Sequence, residues 1–307
     1  MYPMKLTPAL KDYIWGGTRL KEEYGISTDM EPVAEAWVLS CHPDGPSTVA
    51  NGEYRGLTLT EVIDKAGTDI LGENAKKFEF FPILVKLIDA KSNLSIQVHP
   101  SDEYALKNEG QFGKTEMWYV VDCDEGAYLY YGFNRKLSQQ EFRERIENNT
   151  LLEVLNKVPV SKGDCFFIDS GTIYAIAEGL LIAEIQQNST LSYRVYDYGR
   201  VGADGKPREL HIEKAIEVTT LDKPSCPYGQ PKDTKLAECN YFKTEKLSLC
   251  GNSEIIADKS SFVSLLCLSG KATLGELGIN KGESVFIPAG FGKIALSGNA
   301  EFIVRRV

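Results

Sequence analysis

Histidine is nearly absent from this chain: among 307 residues only His42, His99 and His211 are histidine. A metal centre built from several imidazoles would use almost the whole supply. The seven cysteines stand singly at 41, 123, 165, 226, 239, 250 and 267, with no C-x-x-C pair, so zinc-ribbon and thioredoxin-type readings lose their main support. A surplus of positive charge is missing too. Lysine plus arginine total 34 against 43 acidic residues, a net charge of −9, and without a positive field nothing draws in phosphate backbones or anionic membrane surfaces. The longest apolar stretch, from Phe78 to Ala90, is broken by Glu79, Pro82, Lys86 and Asp89, far short of the ~20 apolar residues of a membrane span. The opening Met-Tyr-Pro-Met-Lys-Leu-Thr-Pro lacks the apolar core of a secretory signal. These absences predict a protein of the reducing cytoplasm, with neither nucleic acid nor membrane as partner.

What is present is an ordinary globular mixture, 43% hydrophobic and 25% charged. The length suits about two domains, or one large barrel. Helix signals are few. Thr58-Leu-Thr-Glu61 has the capping-box pattern, with Gly67 placed as its C-terminal cap. Ser138-Gln-Gln-Glu141 opens a second helix, with Phe142, Ile146, Leu151, Leu152 and Leu155 at helical spacing before Pro159. Shorter helices are expected over 101–108 and 211–218. Most of the remainder reads as short strands rich in Val, Ile, Phe and Tyr, separated by glycine turns. Asp122-Cys-Asp-Glu-Gly126, between 117–121 and 127–131, reads as a hairpin loop. The prediction is a mainly β protein with helical insertions.

Residues 222–237 carry Pro224, Pro227, Gly229 and Pro231 and read as a linker between 1–221 and 238–307. On either side of it lies a short repeat. Lys162-Gly-Asp-Cys-Phe-Phe-Ile-Asp-Ser-Gly171 aligns without gaps on Lys281-Gly-Glu-Ser-Val-Phe-Ile-Pro-Ala-Gly290, with five identities in ten. Both copies set a turn glycine before an acidic residue, then an apolar strand, then a second glycine, which favours a duplicated unit over coincidence.

The chemistry concentrates before the linker. In Leu94-Ser-Ile-Gln-Val-His99 the residues alternate, so a strand here turns Leu94, Ile96 and Val98 one way and Ser95, Gln97 and His99 the other. Lys114-Thr-Glu-Met-Trp118 repeats the arrangement, with Lys114 and Glu116 on one face. The default is a polar face turned to water. An imidazole, a carboxylate and an amide oxygen together also make a ligand set for a divalent metal.

These residues resemble a known family. Ser95-Ile-Gln-Val-His-Pro-Ser-Asp102, Gly113-Lys-Thr-Glu-Met-Trp-Tyr119, Ala183-Glu-Ile-Gln-Gln-Asn-Ser189, Tyr193-Arg-Val-Tyr-Asp-Tyr-Gly-Arg200 and Arg208-Glu-Leu-His-Ile-Glu-Lys214 are similar to type I mannose-6-phosphate isomerases of the short bacterial form. Trp15-Gly-Gly17 and Ala34-Glu-Ala-Trp37 fit the N-terminus of that family. The resemblance implies a double cupin: an N-terminal catalytic cupin over 1–221 and a smaller C-terminal cupin over 238–307 without a metal. It implies a zinc-dependent isomerase of mannose 6-phosphate and fructose 6-phosphate, with one zinc or another divalent metal per chain and a small sugar phosphate as partner. Gln97, His99 and Glu116 match three of the metal ligands. The fourth, a histidine in the family's G-T-x-H turn, is Tyr174 here, in Gly171-Thr-Ile-Tyr174.

A phenol has an ordinary pKa near 10. Either Tyr174 coordinates as phenolate, or it points away and leaves its place to water; both predict weaker zinc affinity. Glu178, Glu184 and His211 have the donor types to substitute, and the spacing selects none of them. The resemblance makes Arg194 and Lys114 catalytic and gives the substrate phosphate to Ser95 and Arg200, where a guanidinium fork suits a dianion. Tyr174 also motivates an alternative, a weakly active or non-catalytic sugar-phosphate binder of the same fold.

Overall fold

The computed structural model describes residues 1–202 and 205–307. They form two compact units, one of Met1–Asp12, Thr18–Leu87 and Pro231–Val307, the other of Tyr13–Gly17 and Ile88–Gln230. The fold is mainly β, as the glycine-punctuated strand pattern predicts, and nearly all of its pairing is antiparallel.

The first unit is built on one antiparallel sheet. Its strands run in the order Lys235–Glu238, Lys243–Ala257, Gly292–Arg306, Val263–Leu274, Ser284–Ile287, Met4–Thr7 and Thr48–Val49, with Leu277–Asn280 added to Val263–Leu274. One face buries Leu249, Val263, Leu265, Val285, Phe302 and Val304. The first strand of the chain is thus a strand of the C-terminal sheet, with Met4 opposite Phe286 and Leu6 opposite Ser284. Backbone bonds from Glu73 to Lys259 (3.0 Å) and from Phe262 to Leu71 (3.1 Å) add to this tie. The compact units therefore do not follow the boundaries expected at 221 and 238. The proline-rich segment marks a connection in the chain, whereas the sheet is completed by residues far away in sequence.

The second unit holds two sets of strands. One runs Tyr228–Gly229, Cys165–Ile168, Glu116–Cys123, Leu180–Gln187; the other runs Tyr193–Tyr196, Ile96–Val98, Tyr174–Ile176, Tyr128–Phe133, Leu155–Pro159. Ile96, Val98, Ala175, Tyr193 and Val195 turn to a core shared with Phe142, Ile146, Ala215 and Ile216 of the helices Gln139–Glu147 and Ile212–Val218. The alternate residues Gln97, Tyr174 and Arg194 consequently face the other way, in one row across three strands.

The capping box forms as predicted. Thr58 accepts from the Glu61 N–H, the Glu61 carboxylate accepts from the Thr58 N–H, and the helix Leu59–Ala66 ends at Gly67. Ser101 and Ser138 cap Asp102–Glu109 and Gln139–Glu147. Two expectations fail. The helix after Ser138 stops at Glu147, because Asn149 adopts a φ of 55°; Leu155, read as its continuation, opens a strand against Phe133. The segment 122–126 is not a hairpin loop either. It carries the chain from Glu116–Cys123 in one sheet to Tyr128–Phe133 in the other, a change of sheet that local alternation does not encode.

The repeat holds at atomic level. Gly163 and Gly282 have φ of 94° and 86°, and Gly171 and Gly290 have 87° and 74°. In each copy the acidic residue accepts from a backbone N–H three residues earlier, Asp164 from Ser161 (2.8 Å) and Glu283 from Asn280 (2.6 Å).

Candidate active site

Two close approaches of the backbone aim the polar row. Gly113 lies where a Cβ would come within 2.4 Å of the Pro100 carbonyl oxygen, and the Lys114 N–H donates to that same carbonyl at 3.1 Å. Thr115 and Gln187 are cross-linked, with the Thr115 N–H donating to Gln187 Oε1 (2.7 Å) and the Gln187 N–H to the Thr115 carbonyl (3.0 Å). The strand Glu116–Cys123 therefore starts in a fixed register, Glu116 opposite Gln186 and Trp118 opposite Glu184.

His99, Glu116, Lys114 and Tyr174 meet at its mouth, each at most 4% exposed. His99 Nδ1 donates to the Leu191 carbonyl at 2.7 Å. A carbonyl only accepts, so the proton sits on Nδ1 and the Nε2 lone pair faces the cluster. Around Nε2 lie the Tyr174 hydroxyl (2.6 Å), Lys114 Nζ (3.2 Å) and Glu116 Oε2 (3.6 Å). Gln97 Nε2 donates to the Tyr174 oxygen at 3.0 Å, so the phenol receives from Gln97 and gives its proton to His99. Lys114 Nζ stands 2.6 Å from Glu116 Oε2 and 3.6 Å from Glu184 Oε1, and Trp118 Nε1 donates to Glu184 Oε2 at 3.1 Å. The Trp118 ring meets Tyr174 edge-on, with centroids 4.6 Å apart.

Burial, followed by the nearby Lys114 ammonium, pushes the His99 imidazole below its ordinary value against the pull of Glu116. For Glu116 burial is the largest influence and works upward, but Lys114 and His99 together outweigh it and hold the carboxyl well below the usual carboxylate range. At neutral pH the cluster thus contains a neutral imidazole and a carboxylate.

Arg194 shares the face of Gln97 and Tyr174. Its backbone N–H donates to His211 Nδ1 (3.2 Å) and its Nη1 to the Glu209 carbonyl (2.8 Å), while Nε is buried with no hydrogen-bond partner. Burial, then the nearby Arg208, lowers its pKa. Arg200 donates to the Asn93 carbonyl and, at 2.5 Å, to Asp197. Arg208 makes a two-pronged contact with the same carboxylate, at 2.5 and 2.8 Å. Ser95 is buried just ahead of Gln97, two residues beyond the carbonyl that anchors Arg200.

Of the three candidate substitutes for the missing histidine, only Glu184 reaches the cluster. The Glu178 N–H is bonded to Asn93, and His211 precedes the helix Ile212–Val218 and holds the Arg194 backbone. The sequence alone does not single out Glu184, nor Trp118 as its partner. The cross-strand register that joins them leaves no mark on either segment by itself.

The family model described as phosphomannose isomerase type I, catalytic domain, matches residues 4–126, and that described as mannose-6-phosphate isomerase, cupin domain, matches 232–307. Mannose-6-phosphate isomerase ManA of Bacillus subtilis is 39% identical over 98% of this chain and 98% of its own length. The mannose-6-phosphate isomerase of Streptococcus mutans is 37% identical over 98% and 97%. The chain belongs to the type I phosphomannose isomerase family. The crystal structure of the Bacillus subtilis mannose 6-phosphate isomerase superposes with a TM-score of 0.91 at 36% identity, covering 100% of both chains. A more distant phosphomannose isomerase from Archaeoglobus fulgidus, described as putative, gives 0.83 at 28% identity, over 99% and 97%.

Type I phosphomannose isomerases are metal-dependent enzymes, and the donor chemistry here fits a divalent cation at three positions. Both Glu116 carboxylate oxygens are buried without a well-directed hydrogen bond, despite the short ionic contact from Lys114. The His99 tautomer is set by Leu191, the usual device for a ligating imidazole. Gln97 turns its nitrogen to Tyr174, which leaves its oxygen as the donor. Among the described residues no group of three His, Cys, Asp or Glu side chains is placed to hold a metal ion. Tyr174 occupies the fourth family position and already hydrogen-bonds His99 Nε2.

Proposed function

We propose that this isomerase interconverts mannose 6-phosphate and fructose 6-phosphate, using one divalent cation held by Gln97, His99 and Glu116. The observation that carries the reading is the buried His99–Glu116–Lys114 cluster in a chain related over its full length to mannose-6-phosphate isomerases. One imidazole nitrogen beside oxygen donors suits zinc, and three protein ligands with an open position suit catalysis.

The reaction moves a proton between C1 and C2 of the sugar, so negative charge must build on the oxygens of those carbons. A bound cation supplies Lewis-acid stabilisation of that charge. Lys114 brings an ammonium to the same place, held by Glu116 and Glu184, and can donate to a developing oxyanion without first being reoriented. Arg194 adds a cation on the same sheet face as Gln97, its Nε directed at no protein acceptor. Ser95 and Arg200 take the phosphate dianion. Asp197 and the Asn93 carbonyl hold the Arg200 guanidinium in place before substrate arrives. Burial of His99, Glu116 and Lys114 keeps bulk water from competing for these contacts.

The net charge of −9 does not oppose an anionic substrate, because attraction is local to Lys114, Arg194, Arg200 and Arg208. The cysteines are all free thiols, and among the described residues no helix is long and apolar enough to cross a membrane; both support the cytoplasm as the compartment. A coupled assay with zinc, cobalt or manganese supplied tests the proposal. Interconversion supports it, and sugar-phosphate binding without turnover under all three metals would refute it.

A further inference from the structure

Arg305 is the most deeply buried charge of the first unit and has no role in the isomerase site. It lies near the end of the strand Gly292–Arg306, with 0% of its surface exposed. It stands directly opposite Thr244 on one neighbouring strand and Ser264 on the other, so the three side chains share one sheet face. That face is turned away from the core of Val263, Leu265 and Val304. Near the start of the strand Val263–Leu274, Phe262 stacks on the Phe81 ring and donates its N–H to the Leu71 carbonyl. Thr244 and Ser264 are also 0% exposed.

Arg305 offers donors only, and each hydroxyl beside it has a proton to give as well as lone pairs. Arg305 Nη2 donates to Ser264 Oγ at 2.8 Å, and among the described residues Nε and Nη1 have no acceptor. Thr244 Oγ1 has no partner either. Ser264 Oγ already accepts from the arginine, which leaves its own proton to give. One strand further on the same face, Ser284 Oγ is buried and without a partner. Among the described residues no carboxylate compensates the charge: burial alone acts on Arg305, pushing it down to about 9, so it is still charged at neutral pH. A buried guanidinium without counter-charge is strongly unfavourable. A water molecule would accept some of these bonds but would bring donors of its own and leave the charge uncompensated. An anion answers both demands.

We propose that Arg305, Thr244 and Ser264 bind a monatomic anion of chloride size inside the C-terminal sheet. The small size follows from the complete burial of all three side chains in a packed face. The anion is structural: it neutralises Arg305 and stabilises the unit in which the strands 243–257, 263–274 and 292–306 meet.

Bromide is the probe. Crystals of the full chain soaked in sodium bromide should give an anomalous peak beside Nε and Nη1 of Arg305 and Oγ1 of Thr244. In solution, the thermal midpoint should rise saturably with bromide at ionic strength held constant with gluconate, an anion too large to enter. Thr244→Val should weaken half-saturation about tenfold, the scale of one hydrogen bond to a charged partner, and Arg305→Met should remove the dependence. Should Arg305→Met fail to fold, Thr244→Val and the anomalous map still decide. No anomalous peak at Arg305, or a bromide response that Thr244→Val leaves unchanged, overturns the proposal.

Discussion

Tyr174 stands where the resemblance implies a histidine ligand, and the effect proposed for it is on metal affinity. The phenol gives its proton to His99 Nε2 at 2.6 Å, so a cation reaching that nitrogen must first break a short hydrogen bond, and it finds no second imidazole as a fourth ligand. Tyr174→His removes the competing bond and restores a nitrogen donor. The variant should hold zinc at least about tenfold more tightly, the scale on which even outer partners of metal ligands act; elemental analysis and competition titration beside the unaltered chain measure this, and equal metal content would show that Tyr174 does not limit the site. Asp197 sets a second expectation. Burial raises its carboxyl, but the hydrogen bonds from Arg208 and Arg200 prevail, and its native pKa lies below the ordinary 3.8. A lowered native pKa gives stability that is fully present above the ordinary value and is lost as pH falls below it. The difference in urea midpoint between the unaltered chain and Asp197→Asn should therefore be constant above about pH 5 and shrink below about pH 4. At this scale much was legible: strict alternation in Leu94–His99 puts Gln97 and His99 on one face, and Lys114 with Glu116 follows the same rule. Glu184 was not singled out, because its place depends on facing Trp118 across a strand pair 66 residues apart in sequence.

At the scale of elements, local chemistry was readable wherever it was self-contained. Thr58 and Glu61 satisfy each other's backbone, and serines 101 and 138 cap the helices expected of them. The signal failed where continuation depended on distant partners. Leu151, Leu152 and Leu155 keep helical spacing, yet Asn149 turns the chain and the pairing of Leu155 with Phe133 claims it for a sheet. The link 122–126 looks like a hairpin because both flanks are strands, and only the long-range strand pairing assigns them to different sheets. Gly113 ties such a link to function. A methyl group there would meet Pro100 and Ser101 backbone atoms at 2.4 Å, directly beside Lys114. Gly113→Ala should destabilise the chain by about 1–3 kcal/mol, as overpacking does, and should lower kcat more than it alters binding of the phosphate end, since Lys114 moves and Arg200 does not. Urea unfolding and steady-state kinetics check both halves.

For the whole molecule, two related halves were legible from ten aligned residues, and the structure reproduces their turns residue by residue. How the chain divides was not legible, because Met4–Thr7 finds its partner nearly 280 residues away. A fragment of residues 1–221 leaves residues 1–12 and 18–87 without the sheet formed by 243–306. It should unfold without a cooperative transition and be cleaved readily by protease; a native-like transition in that fragment would contradict the unit assignment. The central claim is that a chain with tyrosine at the fourth family position is still a mannose-6-phosphate isomerase. The most direct measurement follows mannose 6-phosphate labelled with carbon-13 at C1 by NMR, with metal-supplied protein and with Glu116→Gln in parallel. The account predicts conversion to labelled fructose 6-phosphate by the unaltered chain, the reverse reaction from fructose 6-phosphate, and a loss of rate of 100-fold or more in the variant, about the scale for removal of a group that stabilises developing charge. A spectrum of bound but unconverted mannose 6-phosphate with metal in excess would contradict it.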